Sequence, residues 1–259
     1  MSLILTKLED RIGTITFNRP EKRNSFSCDM LNEMIKAIEA FQEQEARAVV
    51  IRAPKGAKVW SAGIDIGELP VPGRDPLSYN DAIERALRAV QKFPSPVFAM
   101  VEGGVWGAAC DLCVTCDIVI GTPTATFAIT PAKIGVPYNS SGILHFLNTV
   151  GMRIAKEMLF TAEPIDALRA LKCHLINHLV PEEELESYTY AMARRIAENS
   201  PLAIGIIKDQ LRLLAGSHPL SPETFERIQG LRRRVYDSED YLEGKTAFFE
   251  KRKPRFSGK

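Results

Sequence analysis

The sequence predicts an α/β protein. Short apolar runs with strand character alternate with stretches of helical periodicity as far as about residue 199. Two of those runs end in small residues, at Val59-Trp-Ser-Ala-Gly-Ile-Asp-Ile66 and Val101-Glu-Gly-Gly-Val-Trp-Gly-Ala-Ala-Cys-Asp-Leu112. From Ser200 onward the pattern is wholly helical.

The elements follow in order. Leu3–Leu8 and Gly13–Phe17 read as two strands joined by a turn at Glu9-Asp10-Arg11, which makes a hairpin. Asn18–Ser25 is a polar loop. Ser27 caps a helix in which Met30, Leu31, Met34, Ile35 and Ile38 recur at helical spacing. Ala48–Arg52 is a short buried strand. Pro70–Tyr79, with its prolines and glycine, reads as a loop. A helix follows with Ile83, Leu87 and Val90 on one stripe. Pro94–Val101 is a strand, Gly103-Gly104 a turn, and a helix then runs through the cysteines toward a strand at Cys116–Ile120. Ser200-Pro201 and Ser221-Pro222 each combine a capping residue with proline in the first helical position. The expected division is a core over residues 1–198 that carries the active site, and a C-terminal helical region over 199–259 that packs on the core and on neighbouring subunits.

Composition excludes several classes. A formal net charge of +1 gives no reason to expect nucleic acid or a membrane as partner. No apolar run approaches the roughly 20 residues of a membrane span. The N-terminus lacks a basic region followed by an apolar stretch, so the expected location is the cytoplasm. Five cysteines, an odd number, argue against a disulfide framework. Cys110, Cys113 and Cys116 have a cluster-like spacing, but their apolar context reads as core packing. His174 and His178 fall in a strand-like stretch, where that spacing does not make a metal site. The usual dinucleotide fingerprint is absent.

The two small-residue stretches point to chemistry. Small residues let backbone N–H groups face a cavity, and the first N–H groups of a helix have no partner within it. Two such donors aimed at one point hold an oxygen that is gaining negative charge. Neither stretch carries a serine–histidine pair, a phosphate loop or a metal cluster. The chemistry expected is one that passes through an enolate or oxyanion. Taken by themselves, the same residues also read as a plain strand end with a tight turn.

Phe17-Asn-Arg-Pro-Glu-Lys-Arg-Asn24, Ser61-Ala-Gly-Ile-Asp65, Val101-Glu-Gly103, Cys116-Asp-Ile118, Ile134-Gly-Val-Pro137 and Ala247-Phe-Phe-Glu-Lys-Arg252 resemble the crotonase, or enoyl-CoA hydratase/isomerase, family. They run across nearly the whole chain in the family's order. A narrower likeness is to the family's bacterial decarboxylating members. It rests on Arg74-Asp-Pro-Leu-Ser-Tyr79, Gly135-Val-Pro-Tyr-Asn139, Phe225-Glu-Arg-Ile-Gln-Gly230 and Val235-Tyr-Asp-Ser-Glu-Asp-Tyr241. The resemblance implies a spiral of ββα units with a C-terminal helical region, assembled as trimers or pairs of trimers. It implies an acyl-CoA thioester as substrate, methylmalonyl-CoA, which loses carbon dioxide to give propionyl-CoA. It implies no metal, biotin or redox cofactor; coenzyme A is part of the substrate.

The resemblance places the oxyanion-hole N–H groups at Ile64 and Ala108, with Ala62, Gly63, Asp65 and Ile66 completing the first binding segment. The decarboxylating members carry histidine where Ile64 stands, and glycine is usual where Ala108 stands, so substrate preference is open. Hydratases use two glutamates; the first falls at Asp111 and the second at Pro131, where it is absent. Asp111 reads either as a carboxylate satisfied by a buried partner or as a proton donor to the product enolate. Thr130 would touch the acyl group or carboxylate, and Tyr138 would orient the carboxylate. Their ordinary readings are a hydroxyl bonded to nearby backbone and an aromatic packed under the next helix. Ile64, Ile66 and Val136 would supply apolar walls. Lys251, in a basic tail, would reach the coenzyme A phosphates, although a solvated terminus also explains such a run.

The rival readings are enoyl-CoA hydration or double-bond isomerisation, and a non-catalytic acyl-CoA-binding or RNA-binding member. The missing second glutamate speaks against hydration, and the near-neutral charge against RNA.

Overall fold

A computed structural model describes residues 2–69, 79–216 and 221–257. All but Tyr79 of the expected Pro70–Tyr79 loop lies outside them, as does most of the Arg74–Tyr79 motif. The chain opens with β1 (Ile4–Glu9) and β2 (Ile12–Phe17), the expected antiparallel hairpin. α1 (Cys28–Glu43) starts where Ser27 accepts from Met30 N–H, as its sequence predicts. β3 (Ala48–Arg52), β4 (Val59–Ser61) and α2 (Ala82–Lys92) follow, then β5 (Val97–Val101), β6 (Gly104–Trp106) and α3 (Ala108–Thr115). After β7 (Ile118–Gly121) and β8 (Thr126–Ala128) come the long α4 (Ser140–Thr161), β9 (Ile165–Asp166), α5 (Ala167–Lys172), β10 (His178–Leu179) and α6 (Leu185–Ala197). α7 (Pro201–Ala215), α8 (Pro222–Tyr236) and α9 (Glu239–Phe249) form the helical end. Ser200 and Ser221 cap the first two through Ala203 N–H and Thr224 N–H.

From β3 to β8, successive strands alternate between two sheets. β3, β5 and β7 lie in a six-stranded sheet of order β1-β2-β3-β5-β7-β10, parallel from β2 onward. β4, β6 and β8 lie side by side in a four-stranded sheet that β9 closes. The units β3-β4-α2, β5-β6-α3 and β7-β8-α4 therefore wind as the ββα spiral expected. The helix after Gly103-Gly104 does not begin at that turn: β6 and Gly107 intervene.

Strands covered on both faces have no reason to alternate polar with apolar residues. β3 and β5 fit this rule, being buried almost throughout. Met30, Leu31, Met34, Ile38 and Phe41 of α1 pack with Ile15, Val49, Ile51 and Val101. Leu185 and Ala193 of α6 pack with Ile12, Val50, Phe98 and Ile120. Among the described residues no helix is long and apolar enough to cross a membrane.

Candidate active site

The first wall is the end of β4. Trp60 anchors it, fully buried, with Nε1 donating to Met100 O at 2.9 Å and its ring edge-on to Phe17. The Asn18–Ser25 loop is stitched to the same strand. Ser61 Oγ donates to Asn24 O at 2.7 Å, Ala62 N–H to Arg23 O, and Asn24 Nδ2 to Trp60 O. Arg19 pairs with Asp65 at 2.8 Å, and Asp65 Oδ1 accepts from Gly67 N–H. These bonds hold residues 61–67 in one shape. Phe26 N–H donates to Gly63 O and Asp65 N–H to Phe26 O. A parallel bridge of this kind uses the flanking residues, so Ile64's own N–H projects away from Phe26.

The second wall is the junction of β6 and α3. Gly107 has φ +58° and ψ −125°, a conformation that side chains disfavour, and its N–H donates to Ala128 O. Ala108 is then the first residue of α3, and its N–H has no intrahelical partner. Gly63 brings the two walls together. At its φ of +82°, a methyl would stand 2.6 Å from Trp106 O and 2.9 Å from Ala108 N. Among the described residues neither Ile64 N–H nor Ala108 N–H has an acceptor.

Ile64 and Ala108 both line a cleft of about 630 Å³, open mouth included. Of the residues anticipated from sequence, Ala62, Ile64, Ile66, Ala108, Asp111, Thr130, Pro131, Val136 and Tyr138 meet on its wall. Gly63 and Asp65 do not line it; they support the wall. Lys251 stands apart, exposed, two residues beyond α9. α9 itself packs on the turn Pro131–Ile134, and Lys245 donates to Leu69 O at 2.8 Å, so the tail leaves from beside the cleft's rim.

Asp111 is buried and has a partner. His145, on α4, stands with Nδ1 2.7 Å from Asp111 Oδ1. Glu84, on α2, is also buried and accepts from Asn139 Nδ2 and Ser141 Oγ. Burial, with the charge of Asp111, raises the Glu84 carboxyl above its ordinary value despite those bonds. Burial by itself would lower His145, but its bond to Asp111 and the charges of Asp111 and Glu84 outweigh that and raise it. Tyr138, edge-on to Phe146, has its hydroxyl 3.4 Å from Gly107 O, a weak hold. Burial pushes its phenol well above the usual range, so it remains a donor. Thr130 Oγ1 stands beside Gly107.

Sequence reasoning missed Leu69, Ile83, Ile134, Pro137 and Asn139 as lining residues, and His145 and Glu84 behind them. Glu84 left a signal: three residues before Leu87, it shares the apolar stripe of α2. The three closely spaced cysteines are core, as expected, while Cys28 is exposed. Cys110, Cys113 and Cys116 are buried, Cys110 Sγ donates to Val105 O, and burial pushes their thiols far up. Among the described residues no group of three or more His, Cys, Asp or Glu is placed to hold a metal ion.

The chain as a whole is similar to known proteins. The enoyl-CoA hydratase/isomerase family model matches residues 7–259. Methylmalonyl-CoA decarboxylase of Escherichia coli (strain K12) is 48% identical over 249 residues, covering 96% of this chain and 95% of that protein. A solved methylmalonyl-CoA decarboxylase in complex with 2-nitronate-propionyl-CoA superposes with a TM-score of 0.97 at 47% identity, over 99% of both chains. Another, complexed with 2S-carboxypropyl CoA, also has a TM-score of 0.97, at 46% identity over 100% of this chain and 99% of that one.

Proposed function

This chain belongs to the enoyl-CoA hydratase/isomerase family, and on that premise we propose that it decarboxylates methylmalonyl-CoA to propionyl-CoA. One observation carries the reading. Two backbone N–H groups without acceptors meet at a cleft whose described lining holds no cation and a single carboxylate, Asp111. The thioester oxygen accepts from Ile64 and Ala108. The α-carboxylate lies toward Tyr138 and Thr130, which orient it out of the carbonyl plane. The other walls, Ile64, Ile66, Leu69, Ile83, Ile134 and Val136, solvate it poorly, and Asp111 adds negative charge nearby. When the bond to the carboxylate breaks, carbon dioxide leaves and the electron pair passes into the thioester. The enolate oxygen is then held by the two N–H groups, and a proton completes propionyl-CoA.

The thioester is itself the electron sink, so the step calls for no metal, biotin or redox group. Hydration would need a second carboxylate to divide the work of activating water and delivering a proton. Pro131 occupies that family position and opens the turn Pro131–Ile134. Lys251, beside the rim, reaches the phosphates of coenzyme A, while Ala62 and the Asn18–Ser25 loop hold its inner part. The molecule assembles as a trimer or pair of trimers. α7 supports this by leaving Leu202, Ile206, Leu213 and Leu214 more than half exposed. A cytoplasmic location suits five cysteines that are all unpaired.

Incubating the purified protein with malonyl-, methylmalonyl- and crotonyl-CoA tests the reading. Carbon dioxide and propionyl-CoA from methylmalonyl-CoA are expected. Hydration of crotonyl-CoA without carbon dioxide release would overturn it. Tight coenzyme A binding with no turnover of any thioester would identify a non-catalytic member.

A further inference from the structure

His145 is unused by the chemistry above, yet it stands between two spaces. On one side is Asp111, whose side chain is 4% exposed and lines the acyl cleft. On the other is a separate groove of about 1600 Å³, open space included, between the body and α7. His145 lines that groove and is 19% exposed. Nδ1 lies 2.7 Å from Asp111 Oδ1 and 3.4 Å from the hydroxyl of Thr115, which lines the same groove. Nε2 lies 2.8 Å from the side-chain amide of Gln91, which accepts an Nε2–H through its oxygen in the orientation the charged imidazole requires. The imidazole is thus fixed with one nitrogen shared by the cleft's carboxylate and a hydroxyl on the groove wall.

Charged groups surround it on several elements. Asp111 on α3 and Glu84 on α2 face it and favour the imidazolium. Asp117, Lys208 and Arg212 line the groove but pair among themselves and with Asp209: Lys208 with Asp117 at 2.7 Å, Arg212 with Asp209 at 2.6 Å. Cys116 lines it too, with its thiol held protonated by burial.

We propose that the Asp111–His145 pair supplies the proton to the product enolate and is refilled from the α7 groove, not from the mouth of the acyl cleft. This deepens the decarboxylase reading and rests on it. After carbon dioxide leaves, the α-carbon takes a proton from Asp111, and the enolate's electron pair forms the new C–H bond as the thioester carbonyl re-forms. Asp111 has drawn that proton from Nδ1 of the imidazolium, whose N–H bond breaks and leaves an imidazole protonated at Nε2. Groove water then returns a proton to Nδ1 through the Thr115 hydroxyl. The net proton consumed comes from solvent, as the loss of carbon dioxide from a carboxylate requires. Asp111 is the group that meets substrate; His145 and Thr115 position and reload it.

Turnover in deuterated water separates this from a structural role. Propionyl-CoA formed there carries one deuterium at the α-carbon, on one of two distinguishable faces. Delivery by a fixed donor places it on one face in the wild type. His145→Asn keeps an amide that can donate to Asp111 but does not titrate, so it preserves the bond and removes the proton supply. The expected result is loss of facial selectivity, toward equal labelling of both faces. Because selectivity is a product ratio, it is independent of how many turnovers the variant makes. Asp111→Asn is the second variant, with the same loss expected, and either folded variant suffices for the test. Equal labelling by the wild type, or wild-type selectivity in a folded His145→Asn or Asp111→Asn protein, would overturn the relay while leaving decarboxylation standing. Absence of carbon dioxide release by the wild type would overturn both.

Discussion

Gly63→Ala strikes the contact that joins the two walls of the site. At φ +82° an alanine occupies the left-handed region, at a cost of roughly 1 to 2 kcal/mol. Its methyl would lie 2.6 Å from Trp106 O and 2.9 Å from Ala108 N, both backbone atoms. Restoring ordinary contact requires the strand end and the β6–α3 junction to part by about 0.8 Å, an overpacking that typically costs roughly 1 to 3 kcal/mol. The fold therefore loses roughly 2 to 5 kcal/mol. The same movement carries Ala108 N–H away from Ile64 N–H. A misplacement near 1 Å in a catalytic geometry can cost about 100-fold in rate. Urea unfolding measures the first effect, and carbon dioxide release at saturating methylmalonyl-CoA the second, with circular dichroism to establish folding. A folded variant that keeps wild-type turnover would refute the claim that these two N–H groups act together.

Three further outcomes follow from the same geometry. Tyr138→Phe keeps the ring against Phe146 but removes the hydroxyl. A hydrogen bond to a charged group is worth about 1.5 to 3 kcal/mol, so carbon dioxide release should slow by roughly 10- to 160-fold, and an unchanged kcat would contradict the orienting role. His145 has a pKa raised above 6.5 in the fold, so its stabilising contribution is fully present below that pH and is lost as pH rises through the folded value. The stability difference between wild type and His145→Asn should narrow as pH is raised from about 5.5 to about 9; a difference that is constant or widens in urea unfolding would contradict the pairing with Asp111. Lys251→Ala should raise the KM for the thioester a few-fold, as suits an exposed charge, with kcat nearly kept. An unchanged KM would remove Lys251 from coenzyme A binding.

Local signals in the sequence were sufficient where a single element carries them. Ser27, Ser200 and Ser221 each cap the helix they announce, and Ala48–Arg52 is a strand from end to end. The second sheet was harder to see, because β4, β6 and β8 have three residues each and pair only with strands far along the chain. β6 offers Val105 and Trp106 between glycines, too little for a strand pattern. The β4 end and the α3 start were recognised as two small-residue segments, but that Gly63 touches Ala108 is a tertiary fact. His145 is one of four histidines in the sequence and belongs to no motif. Its pairing with Asp111, 34 residues earlier, exists because α4 packs on α3. Lys251 is legible as charge, yet neither composition nor motif reveals that it lies off the cleft wall.

The central claim is that Ile64 and Ala108 together hold the thioester oxygen. Infrared spectroscopy of a bound, non-decarboxylating thioester labelled with carbon-13 at its carbonyl measures this directly. Two convergent donors in a site shielded from water polarise that bond more than water does. The carbonyl stretch should therefore fall below its value in water, and the fall should shrink in Gly63→Ala. A stretch at or above the aqueous value in the wild-type complex would contradict the account.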